Sequence, residues 1–332
     1  MPVITNYNEV CEIYAFAAQK KWVIPCICTE NLTTTEAIFS AADDFAKSKN
    51  IKNIPVTIAM TVRYSHRPQA TYYTRTRQWE IGLKLFKADA DILAEAYPNV
   101  QVMLHLDHIQ YDDDIELLDR PLDDFSSIMY DASALPFEKN IKKTAEYTQK
   151  MKGKILIEGA CDEIIDAGGS QHNSITTAES AQKYITQTGV DMIVANLGTE
   201  HRASGKDLMY HADEARKIRD VIGNKIVLHG ASSVSNDQIE HLADDGICKV
   251  NIWTALERDS TPALLEYLVK NASRAAGQSC VDTLYKEGFL TDKCITAEKA
   301  SLDSFTQSAY MKPVYESMKA IVYSYFDMWY KI

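Results

Sequence analysis

Apolar residues along the chain gather into eight short, nearly continuous runs: Val23–Cys28, Ile54–Val62, Gln101–Asp107, Ser127–Asp131, Lys154–Ala160, Asp191–Leu197, Lys225–His229 and Cys248–Trp253. Continuous rather than alternating apolarity suits parallel strands covered on both faces. Between the runs, apolar positions recur at helical spacing over Thr33–Ser48, Trp79–Tyr97, Phe137–Lys152, Thr177–Thr188, Lys206–Ile222 and Asn236–Asp244. Strand alternating with helix is the mark of βαβ units, and eight such strands predict an α/β fold of the closed (β/α)8 TIM-barrel type. An open doubly wound sheet is the alternative, but no Gly-x-Gly-x-x-Gly follows the first strand. Asn8–Lys20 predicts a helix ahead of the barrel, and a tail ending in Pro313–Tyr330 predicts extra C-terminal helices. No repeat or low-complexity linker divides the chain, so residues 1–332 read as one elaborated domain, with a barrel over about 20–270 and a helical extension over about 271–332.

Charge narrows the choice of partners. Lys and Arg number 35 against 46 Asp and Glu, a net charge of −11, which argues against nucleic acid as the main partner. No apolar stretch approaches the roughly 20 residues of a membrane span, and Met1–Tyr7 shows no secretory pattern. The seven cysteines are odd in number and include no Cys-x-x-Cys. That usage fits a reducing cytoplasm, and Cys26-x-Cys28 lies in an apolar run where cysteine serves as a small hydrophobe.

Barrel chemistry resides at the C-terminal strand ends and the loops that follow. Three histidines fall at such ends: His108, His201 and His229. Three converging imidazoles make an open metal site with a vacancy for substrate, whereas any single one could instead be a hydrogen-bonded core histidine. Asp107, beside His108, suits either a general base or a carboxylate that orients an imidazole. The turn His229-Gly-Ala-Ser-Ser233 and the strand end Lys249-Val-Asn-Ile-Trp-Thr254 lie where barrels bind phosphate, with Gly198 and Thr199 able to contribute.

At these positions the sequence resembles the class II, zinc-dependent fructose-bisphosphate and tagatose-bisphosphate aldolase family, as a divergent member. The matching segments are His105-Leu-Asp-His108, Phe125–Ile141, Thr188–His201, Val227-Leu-His-Gly-Ala-Ser232 and Gly246–Thr254, in the family's order. A weaker echo lies in Lys312–Lys319. The resemblance implies retro-aldol cleavage of a ketose 1-phosphate or 1,6-bisphosphate to dihydroxyacetone phosphate and an aldehyde. It makes His108, His201 and His229 the ligands of one zinc ion per subunit, and Asp107 the group exchanging a proton with the C4 hydroxyl. It assigns Asn251 and Thr254 to the dihydroxyacetone-phosphate half, and Gly198, Gly230 and Ser232 to the phosphate. A loop acid (Asp162, Glu163 or Asp166) would protonate the carbon released. A homo-oligomer, dimer or tetramer, with the C-terminal helices as contact elements, is also implied; whether a monovalent cation assists is open, as is zinc against another divalent metal. A different zinc-dependent lyase or hydrolase, or a non-catalytic sugar-phosphate-binding homologue, are the alternative readings.

Several departures bear on the substrate. Where the family has a second glutamate on strand five this chain has Ala160, after Glu158. Arg202 and Ser233 replace glycines, and Cys28 stands at a common asparagine position. The connection after strand two concentrates Arg63, His66, Arg67, Arg75 and Arg77 in an otherwise acidic chain. One or more of these cations is expected to bind an anionic group at the substrate's far end, such as phosphate, sulfonate or carboxylate. A solvated or subunit-contacting loop is the plainer alternative.

Overall fold

The computed structural model describes residues 3–162, 175–199 and 210–332. Among them, eight parallel strands close into a barrel in chain order. They are β1 (Ile24–Cys28), β2 (Ile54–Thr61), β3 (Val100–Gln110), β4 (Ser127–Asp131), β5 (Leu156–Ala160), β6 (Met192–Val194), β7 (Ile226–Leu228) and β8 (Ile247–Ile252). Almost every strand residue is buried, because helices cover the outside and side chains fill the interior. The (β/α)8 barrel expected from the apolar runs is therefore the fold observed.

Local chemistry sets three of the helix starts close to where the pattern places them. Asn6 caps the helix Tyr7–Gln19 by accepting from the amides of Asn8 and Glu9, and Asn31 likewise caps Leu32–Lys49. Thr177 and Ser180 form a reciprocal capping box at the start of Ala178–Thr188. Of the expected helix Lys206–Ile222, residues 206–209 lie outside the described residues, Tyr210 and His211 are not helical, and the helix runs Ala212–Ile222. The expected helix Asn236–Asp244 shortens to Asn236–Ile239. Beyond it the chain tightens into three-residue turns, such as Asp244 N to His241 O, and enters β8 through Gly246 at φ 91°. A Cβ there would lie 2.4 Å from the Arg219 Cβ, so only glycine fits the turn.

By its internal contacts the chain forms two compact units, residues 1–254 with 323–332, and residues 255–322. In the barrel unit the last residues cover the N-terminal strand ends. Tyr330 stacks on Trp22 with centroids 4.5 Å apart, its hydroxyl donates to the Pro55 carbonyl, and Trp329 donates to the Ile239 carbonyl. The second unit is helical, with Ala272, Val281 and Cys294 buried together against Leu290 and Ile295. No described helix is long and apolar enough to cross a membrane.

One close approach positions the loop after β2. Gly82, in the helix Trp79–Ala96, lies so near the short helix Gln69–Tyr72 that a Cβ would fall 1.9 Å from the Ala70 carbonyl oxygen. Backbone cannot yield as a flexible side chain can, so Gly82→Ala is expected to displace Gln69–Tyr72 and lower stability by about 1–3 kcal/mol. Urea unfolding measures this, and an unchanged midpoint would contradict the packing described.

Candidate active site

Successive residues of a regular strand point to opposite faces. In β3 that rule is broken where the chemistry needs it. Leu106 pairs with Ile128 and Ile109 with Tyr130, so β3 carries an extra residue against β4. His108 sits in the left-handed region at φ 47°, rare for a residue with a Cβ. This bulge explains why β3 runs on to Gln110 rather than ending at Asp107 as the apolar pattern predicts. It also brings Asp107 and His108 into one cluster with His229, which follows β7; one donor atom from each of the three lies within 4.8 Å of the others.

His108 is held from two sides. Its Nδ1 bonds the Asp131 carboxylate at 3.0 Å, and its ring stacks on Tyr64 at 4.2 Å with planes 4° apart. Burial would raise the Asp131 pKa, but the His108 bond and donations from the Ser133 amide and hydroxyl outweigh it and keep the carboxyl ionised. An ionised Asp131 fixes the proton on Nδ1 and leaves the Nε2 lone pair facing the mouth. That Nε2 lies 3.1 Å from His229 Nδ1. Two nitrogens bound to one tetrahedral zinc, each at about 2.0–2.1 Å, are separated by about 3.3 Å. The two imidazoles and the adjacent carboxylate thus form a donor set and a spacing that fit a divalent metal.

Asp107 is buried, and its surroundings keep it charged. Burial alone would push its carboxyl up, but the imidazoles of His108, His105 and His229 hold it well below the usual carboxylate range. Asn251 Nδ2 donates to Oδ1 at 2.9 Å, and the Cys28 thiol donates to Oδ2 at 3.4 Å. Burial, then the neighbouring carboxylate, drive the Cys28 pKa far up, so Cys28 acts as a neutral donor. Beneath the mouth, Lys249 and Glu158 are wholly buried and pair at 2.6 Å. Lys249 Nζ also lies 3.3 Å from His105 Nε2, which in turn is 3.6 Å from Asp107 Oδ1.

The remaining predicted residues surround this centre unevenly. Gly198 at φ 81° and Gly230 at φ 69° adopt backbone that favours glycine, and Ser232 lies in the 3-10 turn Ala231–Ser233 after β7. Thr199 ties the two turns by donating to the His229 carbonyl. Thr254 opens the helix after β8. His201, Arg202, Glu163 and Asp166 lie outside the described residues; Asp162 accepts from the Thr176 hydroxyl at 2.6 Å. Arg63 pairs with Glu116 and the Asp113 carbonyl, Arg67 with Glu30, and Arg77 lies 3.9 Å from the Tyr72 ring centroid. His66 and Arg75 are exposed, with the His66 ring 4.9 Å from that of Tyr64. Asp131, Tyr64, Glu30 and Lys249 escaped assignment in the sequence. For Asp131, its place at the end of a strand run was the available signal.

Comparison with known proteins agrees with this fold. The chain matches the family described as "Fructose-bisphosphate aldolase class-II" over residues 8–331. The fructose-bisphosphate aldolase of Streptococcus pyogenes serotype M3 is 30% identical over 252 residues, 73% of this chain and 78% of that protein. That of Giardia intestinalis is 27% identical over 212 residues, 54% of this chain and 64% of the relative, so the match spans under two thirds of the relative's length. The crystal structure of the fructose-bisphosphate aldolase from Campylobacter jejuni is similar with a TM-score of 0.77 over 99% of this chain and 95% of that one, at 19% identity, a likeness of fold. From the family match over nearly the whole chain and the streptococcal relative, this protein belongs to the class II fructose-bisphosphate aldolase family.

Proposed function

We propose that the protein is a zinc-dependent aldolase that cleaves a phosphorylated ketose, a ketose 1-phosphate or 1,6-bisphosphate, to dihydroxyacetone phosphate and an aldehyde. The observation that carries this reading is the convergence of Asp107, His108 and His229 at the β3 bulge. His108 and His229, with His201 as the third ligand, would hold one zinc ion per subunit. When bound, zinc would supply Lewis-acid polarisation of the ketose C2 carbonyl.

The chain's own groups account for the rest of the reaction. Asp107, ionised and oriented by Asn251 and Cys28, accepts the C4 hydroxyl proton as the C3–C4 bond breaks and its electron pair moves toward C3. A loop acid, Asp162, Glu163 or Asp166, then returns a proton to C3. Backbone amides at the Gly198 and Gly230 turns, with Ser232, take the 1-phosphate, and Asn251 and Thr254 position the carbons next to it. A homo-oligomer in a reducing cytoplasm completes the proposal, in keeping with seven cysteines that are all free thiols.

Two experiments test this. A coupled assay for dihydroxyacetone phosphate, run on phosphorylated ketoses, should show chelator-sensitive cleavage that falls by about 10²–10⁴-fold in Asp107→Ala. Absence of cleavage after zinc is restored would contradict the reading. Separately, Asp131→Ala should weaken zinc binding by about 10–100-fold in a competition titration with a chromophoric chelator, because it releases the His108 ring. Undiminished affinity would remove His108 from the ligand set.

A further inference from the structure

A cluster that the reaction above does not use closes the sector of the mouth between β8, β1 and β2. Glu30 lies just past the end of β1. Its Oε1 accepts from Trp253 Nε1 at 2.9 Å, Arg67 Nε at 3.0 Å and Gln69 Nε2 at 3.3 Å, while its Oε2 pairs with Arg67 Nη2. The Arg67 guanidinium is also 5.1 Å from the Tyr72 ring centroid and 5.8 Å from that of Trp253. Trp253, the residue after β8, packs on Cys26, Cys28 and Ala59. Cys28 is the thiol that donates to Asp107 Oδ2. The cluster therefore begins one side chain away from the carboxylate assigned to the C4 hydroxyl.

We infer that this cluster sets specificity for the far end of the substrate: it favours a ketose phosphate whose carbons beyond the cleaved bond carry hydroxyls and no second anion. The orientation of the substrate rests on the aldolase reading above. A phosphate binds arginine best through two parallel N–H donors, and Glu30 already occupies that arrangement on Arg67. The Glu30 side chain is only 11% exposed, so water screens its charge poorly, and a distal phosphate would meet a fixed carboxylate as well as the guanidinium. Arg63 is turned to Glu116, and Arg77 lies over Tyr72. What the sector offers instead is the Trp253 ring, an apolar face suited to the C–H side of an uncharged polyol chain. Arg63, Arg67 and Arg77, on this account, build a wall rather than an anion site.

The test compares D-fructose 1-phosphate with D-fructose 1,6-bisphosphate, and the corresponding D-tagatose pair, in the wild type and in Glu30→Gln. The wild type should favour the monophosphate in kcat/KM by about tenfold or more. Glu30→Gln keeps the side-chain shape but leaves the Arg67 charge uncompensated, and should move the ratio toward the bisphosphate by about tenfold. A wild-type preference for the bisphosphate, or a ratio that Glu30→Gln does not move, overturns the inference. If Glu30→Gln does not fold, the wild-type preference alone decides. If no ketose is cleaved, the aldolase reading fails separately, and calorimetric titration of the wild type with the same compounds decides this one. Tighter binding of the monophosphate then supports it, and equal or tighter binding of the bisphosphate overturns it.

Discussion

Because neighbouring residues of a β-strand face opposite ways, two of them can serve one cavity only where the strand is interrupted between them. In β3 the interruption is the extra residue opposite β4, with His108 at φ 47°. A left-handed conformation at a residue with a side chain costs on the order of 1–3 kcal/mol and persists only where its surroundings impose it. Here the imposing contacts are the Asp131 carboxylate on Nδ1 and the Tyr64 ring stacked on the imidazole. Each of these comes from a different strand or loop, so the closed barrel is what assembles them.

The same barrel interior holds a second costly feature. Lys249 and Glu158 are fully buried, and a buried pair that loses one partner costs about 3–5 kcal/mol. Burial alone would lower the lysine pKa, yet the neighbouring Cys26 and the Glu158 and Asp107 carboxylates hold it above its ordinary value. Above the pair lies His105, between Lys249 and Asp107. The charge that Asp107 carries is thus set by imidazoles at the mouth and sits over an ionic floor of β5 and β8 residues. Asn251, also on β8, ties that floor to the Asp107 carboxylate.

Much of this architecture was legible in the amino-acid order. Continuous apolar runs located all eight strands, and helical spacing placed the helix starts at Tyr7, Leu32 and Ala178 to within one residue. Of the histidines at strand ends, His108 and His229 meet at one end of the barrel, and His201 lies outside the described residues. The bulge in β3 was not legible, since nothing in Leu-His-Leu-Asp-His announces an extra residue against a partner strand. Nor were the pairings Arg67–Glu30, Arg63–Glu116 and His108–Asp131, which join positions far apart in the chain. The sequence shows a cluster of cations after β2 but not the partners they take. In the fold, Arg63 and Arg67 have carboxylate partners.

X-ray absorption at the zinc edge on the metal-loaded protein reads the atoms around the ion and so decides whether His108 and His229 hold it. The account predicts a nearest shell of imidazole nitrogen and oxygen at about 2.0–2.2 Å, with Cys28 remaining a thiol bonded to Asp107. A sulfur contribution at about 2.3 Å would put a cysteine on the metal and contradict the assignment built on His108 and His229.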